Sequence, residues 1–476
     1  MLADSYAFLS LSEQSRLIRS GELSPVALVE LYLRRIDRYN DKLKAFITVA
    51  AGSAMESARR AEGEIAAGEY RGPLHGIPVA VKDQMQIDGM RVTGGSRIYA
   101  DHVGTYDATV VARLREAGAV LLGTLNCHEF QVGPTRNFPF GTPRNPWNLE
   151  RDPGVSSSGS ASSLAAGLVS AALGGDTGGS NRGPAAACGV VGLKPTWSRV
   201  SRHGVFPFLW THDCVGPLAR TVEDAAHVLK VIAGRDPLDP TTSSEPVPDY
   251  LGAMGDSALS GVRVGVVEEL VSDPTSQDAI DAMRAAFGVL AAKGAELIDV
   301  SLPLTRETRF VSQALTKPEA VGYHRRNLQE RYEEFDYNTR VGFMVGAVLP
   351  AGLASSAQRA RVVIARQVTD ALKSVDVLVG SCTAGGAPLI TQRQPITTKK
   401  EALEKIYGEK KGQGQYTRIF SMAGVPAMSV PAGFDRDGMP LGLQIAGRYF
   451  DEATVLRVGH AFQLATDWHG RTPPLA

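Results

Sequence analysis

The stretch Val262–Val300, VRVGVVEELVSDPTSQDAIDAMRAAFGVLAAKGAELIDV, decides the fold class. Val262 to Val267 is an apolar, β-branched run of strand length, and Glu296 to Val300 reads as a second strand. Between them, Gln277 to Lys293 places Ile280, Met283, Phe287 and Leu290 on one helical face. Two strands joined by a helix predict a parallel pair with a right-handed crossover. Similar units flank this one. Upstream, Ile77, Val79 and Val81 alternate in HGIPVAVKD (His75–Asp83) as in a strand, which delivers Lys82 and Asp83 to its C-terminal end. Asp107 to Ala117 reads as helix and Ala119 to Leu125 as apolar strand. Ser24-Pro25 is an N-cap followed by Pro at the first helical position, with Val29, Leu33 and Ile36 behind it, so the first 45 residues predict two amphipathic helices. Downstream come strands at Val375–Val379, Ala427–Val430 and Leu441–Ala446, with a helix over Glu452–Leu464. The expected class is α/β: a single large domain over residues 1–476, with a mixed β-sheet core covered by helices on both faces. Neither an internal repeat nor a long Pro- or Ser-rich linker divides the chain.

Composition narrows the function. The 50 Lys+Arg balance 50 Asp+Glu, so no basic excess marks a nucleic-acid binder. With 43% hydrophobic and 21% charged residues the chain can bury a large core. Cys127, Cys188, Cys214 and Cys382 form no C-x-x-C pair and have no His at metal spacing, so they read as reduced thiols in a cytoplasmic protein without a metal. The start, MLADSYAFLSLSEQSRL, has neither a basic n-region nor an apolar h-region and is not expected to be a signal peptide. The longest uncharged run, Gly154–Gly175, has the length of a membrane span but holds seven serines and three leucines, so no membrane association is expected.

Glycine is the outlier: 50 residues, about one in ten against a usual ~7%. It concentrates in Pro153–Leu193, where 41 residues include 10 Gly, 8 Ser and 8 Ala and carry charge only at Asp176 and Arg182. A flexible linker would have this composition. Against that reading, Leu164, Leu168 and Val169 with the alanines supply helix-forming apolar content, and Cys188–Leu193 reads as a buried strand or turn. Packed small residues let backbone N–H groups converge on a ligand, as in a nest or oxyanion hole. Asp176 and Arg182 are expected to pair and brace the loop. The motifs G-x-x-x-x-G-K-[ST], G-x-G-x-x-G after a strand, G-x-S-x-G, S-x-x-K and H-E-x-x-H are missing, which removes phosphate-loop, dinucleotide, serine-elbow, β-lactamase and zinc-protease chemistry.

Four segments carry a resemblance. GGDTGGSNRGPAAACGVVGLKPTWSRVS (Gly174–Ser201), preceded by PGVSSSGSAS (Pro153–Ser162) and HGIPVAVKD, resembles the amidase signature family, and AGVPAMSVPAGFDRDGMPLGLQIAGRYFDEATVL (Ala423–Leu456) is similar to that family's closing segment. The resemblance covers nearly the whole chain and is weakest from about 305 to 420. It implies the amidase signature fold, with N-terminal helices over 1–70, a catalytic core over 71–205 and a variable, substrate-specificity region over 305–420. It also implies a Ser-cisSer-Lys triad: nucleophile Ser180, bridging Ser156 and base Lys82. The N–H groups of Thr177, Gly178, Gly179 and Ser180 would then hold the oxyanion, and no cofactor is required. The chemistry agrees, because a serine hydroxyl needs an adjacent base. Lysine can be that base only when neutral, with its pKa brought from ~10.4 toward ~7 to 8, and burial among small uncharged residues would do this.

The chain departs from the family pattern at several points. Where the family commonly reads G-G-S-S-G-G-S, this chain has Val155 and Ser158 in place of two glycines. Asn181 replaces an apolar residue after the nucleophile, Ser421 stands where an Asn is usual, and GSCTAGGAP (Gly380–Pro388) lacks the common Pro-Thr pair. The resemblance implies hydrolysis of a C–N bond in a small-molecule amide, anilide, hydrazide or carbamate through an acyl-enzyme, with esterase side activity. Phe206, Phe208 and Trp210, just after the signature, together with Asn181, are expected to contact substrate, and Tyr323, Phe343 and Met344 to close the cleft. A homodimer is the expected assembly.

Three other readings compete. One is the glutaminase component of a tRNA-dependent amidotransferase, although KKGQGQYTRIFSM (Lys410–Met422) is basic or neutral where that component carries an acid to recognise glutamine. Another is a catalytically silent binding protein of the same fold. The last is a Cys127 nucleophile beside Glu129 in the manner of nitrilase-type amidases, although TLNCHEF fits better as a strand end and the start of a loop.

Overall fold

In the computed structural model, which describes residues 2–255, 257–272, 274–390 and 415–475, one mixed sheet runs through the chain. Its strands are β1 (Phe46–Val49), β2 (Pro78–Lys82), β3 (Val120–Leu125), β4 (Ala171–Asp176), β5 (Val191–Lys194), β6 (Cys214–Ala219), β7 (Arg263–Val267), β8 (Glu296–Val300), β9 (Val377–Ser381), β10 (Ala427–Phe434) and β11 (Pro440–Gly447). Their spatial order is β1-β3-β2-β4-β6-β5-β10-β11-β9-β7-β8. The unit read first from the sequence is present: β7 and β8 pair in parallel, Arg263 opposite Glu296 and Val267 opposite Val300, joined by the helix Gln277–Ala292. A second parallel set, β3-β2-β4, lies toward the other edge, and antiparallel pairs link the two sets. Every residue of β3, β4, β6 and β11 is buried, so side chains on both faces of the sheet are covered. The edge strand β8 is exposed or half-buried along its length.

Local chemistry sets the elements. Ser24 Oγ accepts the Ala27 N–H at 3.0 Å and Pro25 opens the helix Pro25–Leu43. Thr221 and Asp224 form a reciprocal capping box on the helix Val222–Ile232. Strand bounds differ most from expectation at β9 and β10. β9 runs from Val377 to Ser381, and just before it Asp376 is tied to the edge of β7, its N–H donating to the Arg263 carbonyl at 2.8 Å and its carboxylate accepting from Arg263 and Arg448. β10 runs past Pro431, where a register shift before Gly433 absorbs the residue that cannot donate to the ladder.

The glycine and serine block is ordered structure, not a linker. It forms the helix Ser158–Ala165, then β4, the helix Arg182–Cys188 and β5. Its small residues permit contacts that larger ones would bar. A Cβ on Gly159 would lie 2.3 Å from the Ala45 carbonyl oxygen and 2.5 Å from the Asn126 amide nitrogen. Of the variable region, residues 391–414 lie outside the described residues, as do Lys410–Gly414 of the segment compared with the glutaminase component. Among the described residues no single helix is long and apolar enough to cross a membrane.

Candidate active site

β2 and β4 are parallel neighbours, with Val81 opposite Leu173, so their C-terminal ends emerge side by side. Lys82 ends β2 and Asp176 ends β4, which delivers Lys82 and the Thr177–Ser180 loop to one edge. Lys82 is fully buried, and its Nζ donates to Ser156 Oγ at 2.7 Å and more weakly to Gln131 Oε1 at 3.5 Å. The Val155–Ser156 peptide is cis. Two backbone bonds hold the serine segment in place: the Ser157 N–H donates to the Ser180 carbonyl at 3.2 Å, and the His128 N–H to the Ser156 carbonyl at 3.2 Å. Ser180 itself is half-buried at the start of the helix Arg182–Cys188. The structure thus gathers Lys82, Ser156 and Ser180 at one place.

Burial is the dominant influence on Lys82 and brings its pKa down to about 8; the charges of Cys127, Asp176 and Asp213 oppose that shift. A neutral amine is therefore accessible near ordinary pH. Lys194 is equally buried and its pKa is also lowered by burial, but among the described residues its Nζ donates to the Pro195 carbonyl at 2.9 Å and to no serine.

Asp176 and Arg182 pair as expected, both fully buried. Arg182 Nε donates to Asp176 Oδ2 and Nη2 to Oδ1, each at 2.9 Å, a two-point contact that fixes both planes. Burial alone would raise the Asp176 pKa, but the Arg182 charge and hydrogen bonds outweigh it and hold the carboxyl at about 2. The guanidinium reaches on to Gln444 Oε1 at 2.7 Å, the Thr417 carbonyl at 3.0 Å and Ser421 Oγ at 2.7 Å. Ser421, a departure from the family pattern, is therefore an acceptor in this network. The pair ties the signature loop to β11 and to the helix Gln415–Ala423.

Asp176 also changes the expected oxyanion hole. Its Oδ1 accepts the Gly179 N–H at 2.7 Å, so that amide is occupied. Thr177, Gly178 and Ser180 make no N–H hydrogen bond among the described residues and remain as donors. Gly179 has φ +118°, and a Cβ there would lie 2.0 Å from Thr417 Oγ1, so both the dihedral and the space demand glycine.

The expected substrate contacts are corrected. Asn181 is fully buried and spent on the protein: Oδ1 accepts from Ser157 Oγ at 3.1 Å, and Nδ2 donates to the Leu193 and Gly216 carbonyls at 3.3 and 3.2 Å. Phe206 stacks on Tyr99 with centroids 5.2 Å apart, inside an aromatic core that includes Phe130. Phe208 packs against the neighbouring cluster of Phe130, Phe335 and Phe343, so Phe343 is also core. Trp210 lies half-exposed over Arg202, 4.5 Å from ring to guanidinium carbon. With Phe206, Tyr106, Arg202 and Tyr323 it lines a separate cavity of about 290 Å³ that contains none of Lys82, Ser156 and Ser180. Cys127 is buried, and burial pushes its thiol up to about 12, which withdraws support from a thiolate nucleophile. Glu129 accepts from Ser96 Oγ at 2.7 Å and from the Asp336 N–H at 2.9 Å.

Sequence reasoning missed Gln131, whose carboxamide faces Lys82 from a turn with positive φ at Phe130 and Gln131. It also missed Thr417, whose Oγ donates to the Gly178 carbonyl at 2.7 Å, and Gln444. Nothing in the local sequence marks these residues, because each acts across a long separation.

The family model described as Amidase matches residues 27–456. The A component of the glutamyl-tRNA(Gln) amidotransferase of Roseiflexus sp. (strain RS-1) is 41% identical over 98% of each chain. Among solved structures, a chain from a vestigial protein complex described as revealing the origins of an s-triazine catabolic enzyme superposes with TM-score 0.88 at 32% identity, covering 96% of this chain and 98% of that one. The peptide amidase of Stenotrophomonas maltophilia superposes with TM-score 0.84 at 30% identity over 99% of each chain. By sequence across 430 residues and by the fold of the whole described chain, this protein belongs to the amidase signature family.

Proposed function

We propose that the protein is a serine amidohydrolase that cleaves the C–N bond of a small amide through an acyl-enzyme on Ser180. The observation that carries this reading is the 2.7 Å contact from a fully buried Lys82 Nζ to Ser156 Oγ, beside Ser180. Neutral Lys82 takes the Ser156 proton while Ser156 takes that of Ser180, and Ser180 Oγ bonds to the amide carbon. The oxyanion is met by the N–H groups of Thr177, Gly178 and Ser180, each such donor being worth roughly 3 to 4 kcal/mol where measured. As the C–N bond breaks, the proton returns from Lys82 through Ser156 to the departing nitrogen. Water then repeats the sequence on the ester, releasing the acid and restoring Ser180. The specificity region is 305–420, acting on a small-molecule substrate.

A second reading is favoured by the curated relatives: an ammonia-supplying component that works with protein partners, in keeping with the name of the Roseiflexus protein. The same triad would then hydrolyse glutamine. Initial rates on a primary amide, anilide, hydrazide and ester sharing one aryl acyl group, with an aryl carbamate and free glutamine, separate the two. Turnover of an amide-type class that disappears in Ser180→Ala supports the amidohydrolase, and preferential turnover of glutamine supports the amidotransferase reading. Undiminished turnover in Ser180→Ala overturns both. A folded protein that neither turns over any substrate nor takes a fluorophosphonate label at Ser180 would be a silent binding protein.

A further inference from the structure

Among the described residues, Lys82 Nζ has two side-chain hydrogen-bond partners, Ser156 Oγ at 2.7 Å and Gln131 Oε1 at 3.5 Å. A neutral amine carries two N–H bonds and one lone pair, and it can take a proton from Ser156 only when the lone pair faces Oγ. An acceptor that draws an N–H away from Ser156 sets the amine in that orientation.

The surroundings of Gln131 aim its carboxamide at the lysine. Its Nε2 donates to the Phe206 carbonyl at 3.4 Å, which turns Oε1 rather than the NH2 group toward Lys82. The Phe206 N–H donates in turn to the Gln84 carbonyl at 2.9 Å, so the acceptor that orients Gln131 is itself tied down. Phe130 and Gln131 have φ of +43° and +64°, a backbone that residues with side chains rarely adopt and that persists where surrounding contacts enforce it. Here the Phe130 ring is pinned, its centroid 4.2 Å from that of His324 and its edge or face set against Tyr99 and Phe206.

Gly175 supplies the room. A Cβ there would lie 2.8 Å from Gln131 Oε1 and 2.3 Å from Gln84 Nε2, so the two carboxamides occupy the space that a side chain on β4 would fill. Gln84 Oε1 is buried and has no hydrogen-bond partner among the described residues, which leaves Gln131 as the carboxamide that engages the lysine. The titratable groups acting on Lys82 are Cys127 after β3, Asp176 at the end of β4 and Asp213 before β6, and all three favour the ammonium. A substitution at 131 leaves them in place.

We propose that Gln131 is a positioning residue for the Ser180 reaction: its Oε1 takes one N–H of Lys82 and so points the lone pair of the amine at Ser156 Oγ. The inference rests on the reading of Ser180 as nucleophile and Lys82 as base. As Ser180 Oγ bonds to the substrate carbon, its proton passes to Ser156 and the Ser156 proton to Nζ, and the ammonium so formed keeps Gln131 Oε1 as an acceptor.

The rate at which an alkyl fluorophosphonate labels Ser180 in the full chain, followed across pH, tests this without a known substrate. In the unmodified protein the rate should rise through about pH 8 to a plateau. Gln131→Met should lower the plateau about tenfold to a hundredfold, the scale of a misdirected reacting group. It should also move the midpoint down, because the ammonium has lost an acceptor. If Gln131 tuned charge alone, the midpoint would fall and the plateau would stay. Gln131→Glu should move the midpoint up by about one unit or more, because a carboxylate there holds the lysine charged. Gly175→Ala keeps both carboxamides but fills their gap, and it should lower the plateau in the same way, which guards against a folding fault peculiar to residue 131. An intact plateau in Gln131→Met and Gly175→Ala, or a midpoint unmoved in both variants at 131, would overturn the proposal. Absence of labelling in the unmodified protein would refute the nucleophile reading itself.

Discussion

Replacing Lys82 with Met should stabilise the protein while abolishing its activity. Met keeps an unbranched stem of similar length in a fully buried site and removes the ionisable head. The lysine pKa of about 8 lies well below its ordinary 10.5, so at pH 7 the folded chain carries a buried ammonium that the unfolded chain solvates. That lowering corresponds to ~3 kcal/mol of lost stability at pH 7. Against this, Ser156 Oγ and Gln131 Oε1 lose a donor in the variant, which costs ~1 kcal/mol and leaves a net gain of ~2 kcal/mol. With an unfolding entropy of roughly 2.1 cal/mol/K per residue, a chain of this size should melt ~2 °C higher.

The pH dependence carries a definite sign. Between about 8 and 10.5 the unfolded state binds more protons at this site than the folded state, so the stability of the unmodified protein rises with pH across that window. The penalty falls to ~1 kcal/mol by pH 10, where the gain from Lys82→Met should be close to zero. Calorimetric melting of both proteins at pH 7 and pH 10 provides the comparison. A variant that melts lower at pH 7, or one whose advantage is the same at both pH values, would refute the argument from burial.

In the proposed mechanism Lys82 accepts a proton only when neutral, so kcat/KM on an amide substrate should rise as pH passes upward through about 8, and a profile that falls through that range would count against lysine as base. Asp176→Asn should cost ~3 to 5 kcal/mol, read as a lower denaturant midpoint, because it leaves Arg182 buried without its counter-charge. With a folded carboxyl at about 2 against an ordinary 3.8, the support Asp176 gives is present above about pH 4 and lost only as pH falls toward 2, so the variant's deficit should be constant from pH 5 to 8.

Hydrophobic periodicity made the outer parts of the fold legible. The helix Glu452–Leu464 has the bounds read from its pattern, and Val262–Val300 shows its strand, helix and strand in parallel register. The centre was less so. β4 reads AALGGD and β6 reads CVGPLA, sequences whose glycines, alanines and proline carry little strand preference. They are strands because β2, β5 and β6 supply partners, and small residues are needed where the sheet meets the packed signature helices.

The sequence by itself determined the α/β class, the family and the motif positions of Lys82, Ser156 and Ser180, because periodicity and motif are properties of short windows. Only the tertiary structure decided what those motifs touch. It turned Asn181 inward to Leu193 and Gly216, gave the Gly179 N–H to Asp176, placed Phe206 among aromatic core residues and set Gln131 against Lys82. It also brought Arg418 onto Gly178 across 240 residues of chain. Contacts of that separation depend on sheet order and on which backbones approach closely, and a side chain's role follows from the partner it meets there.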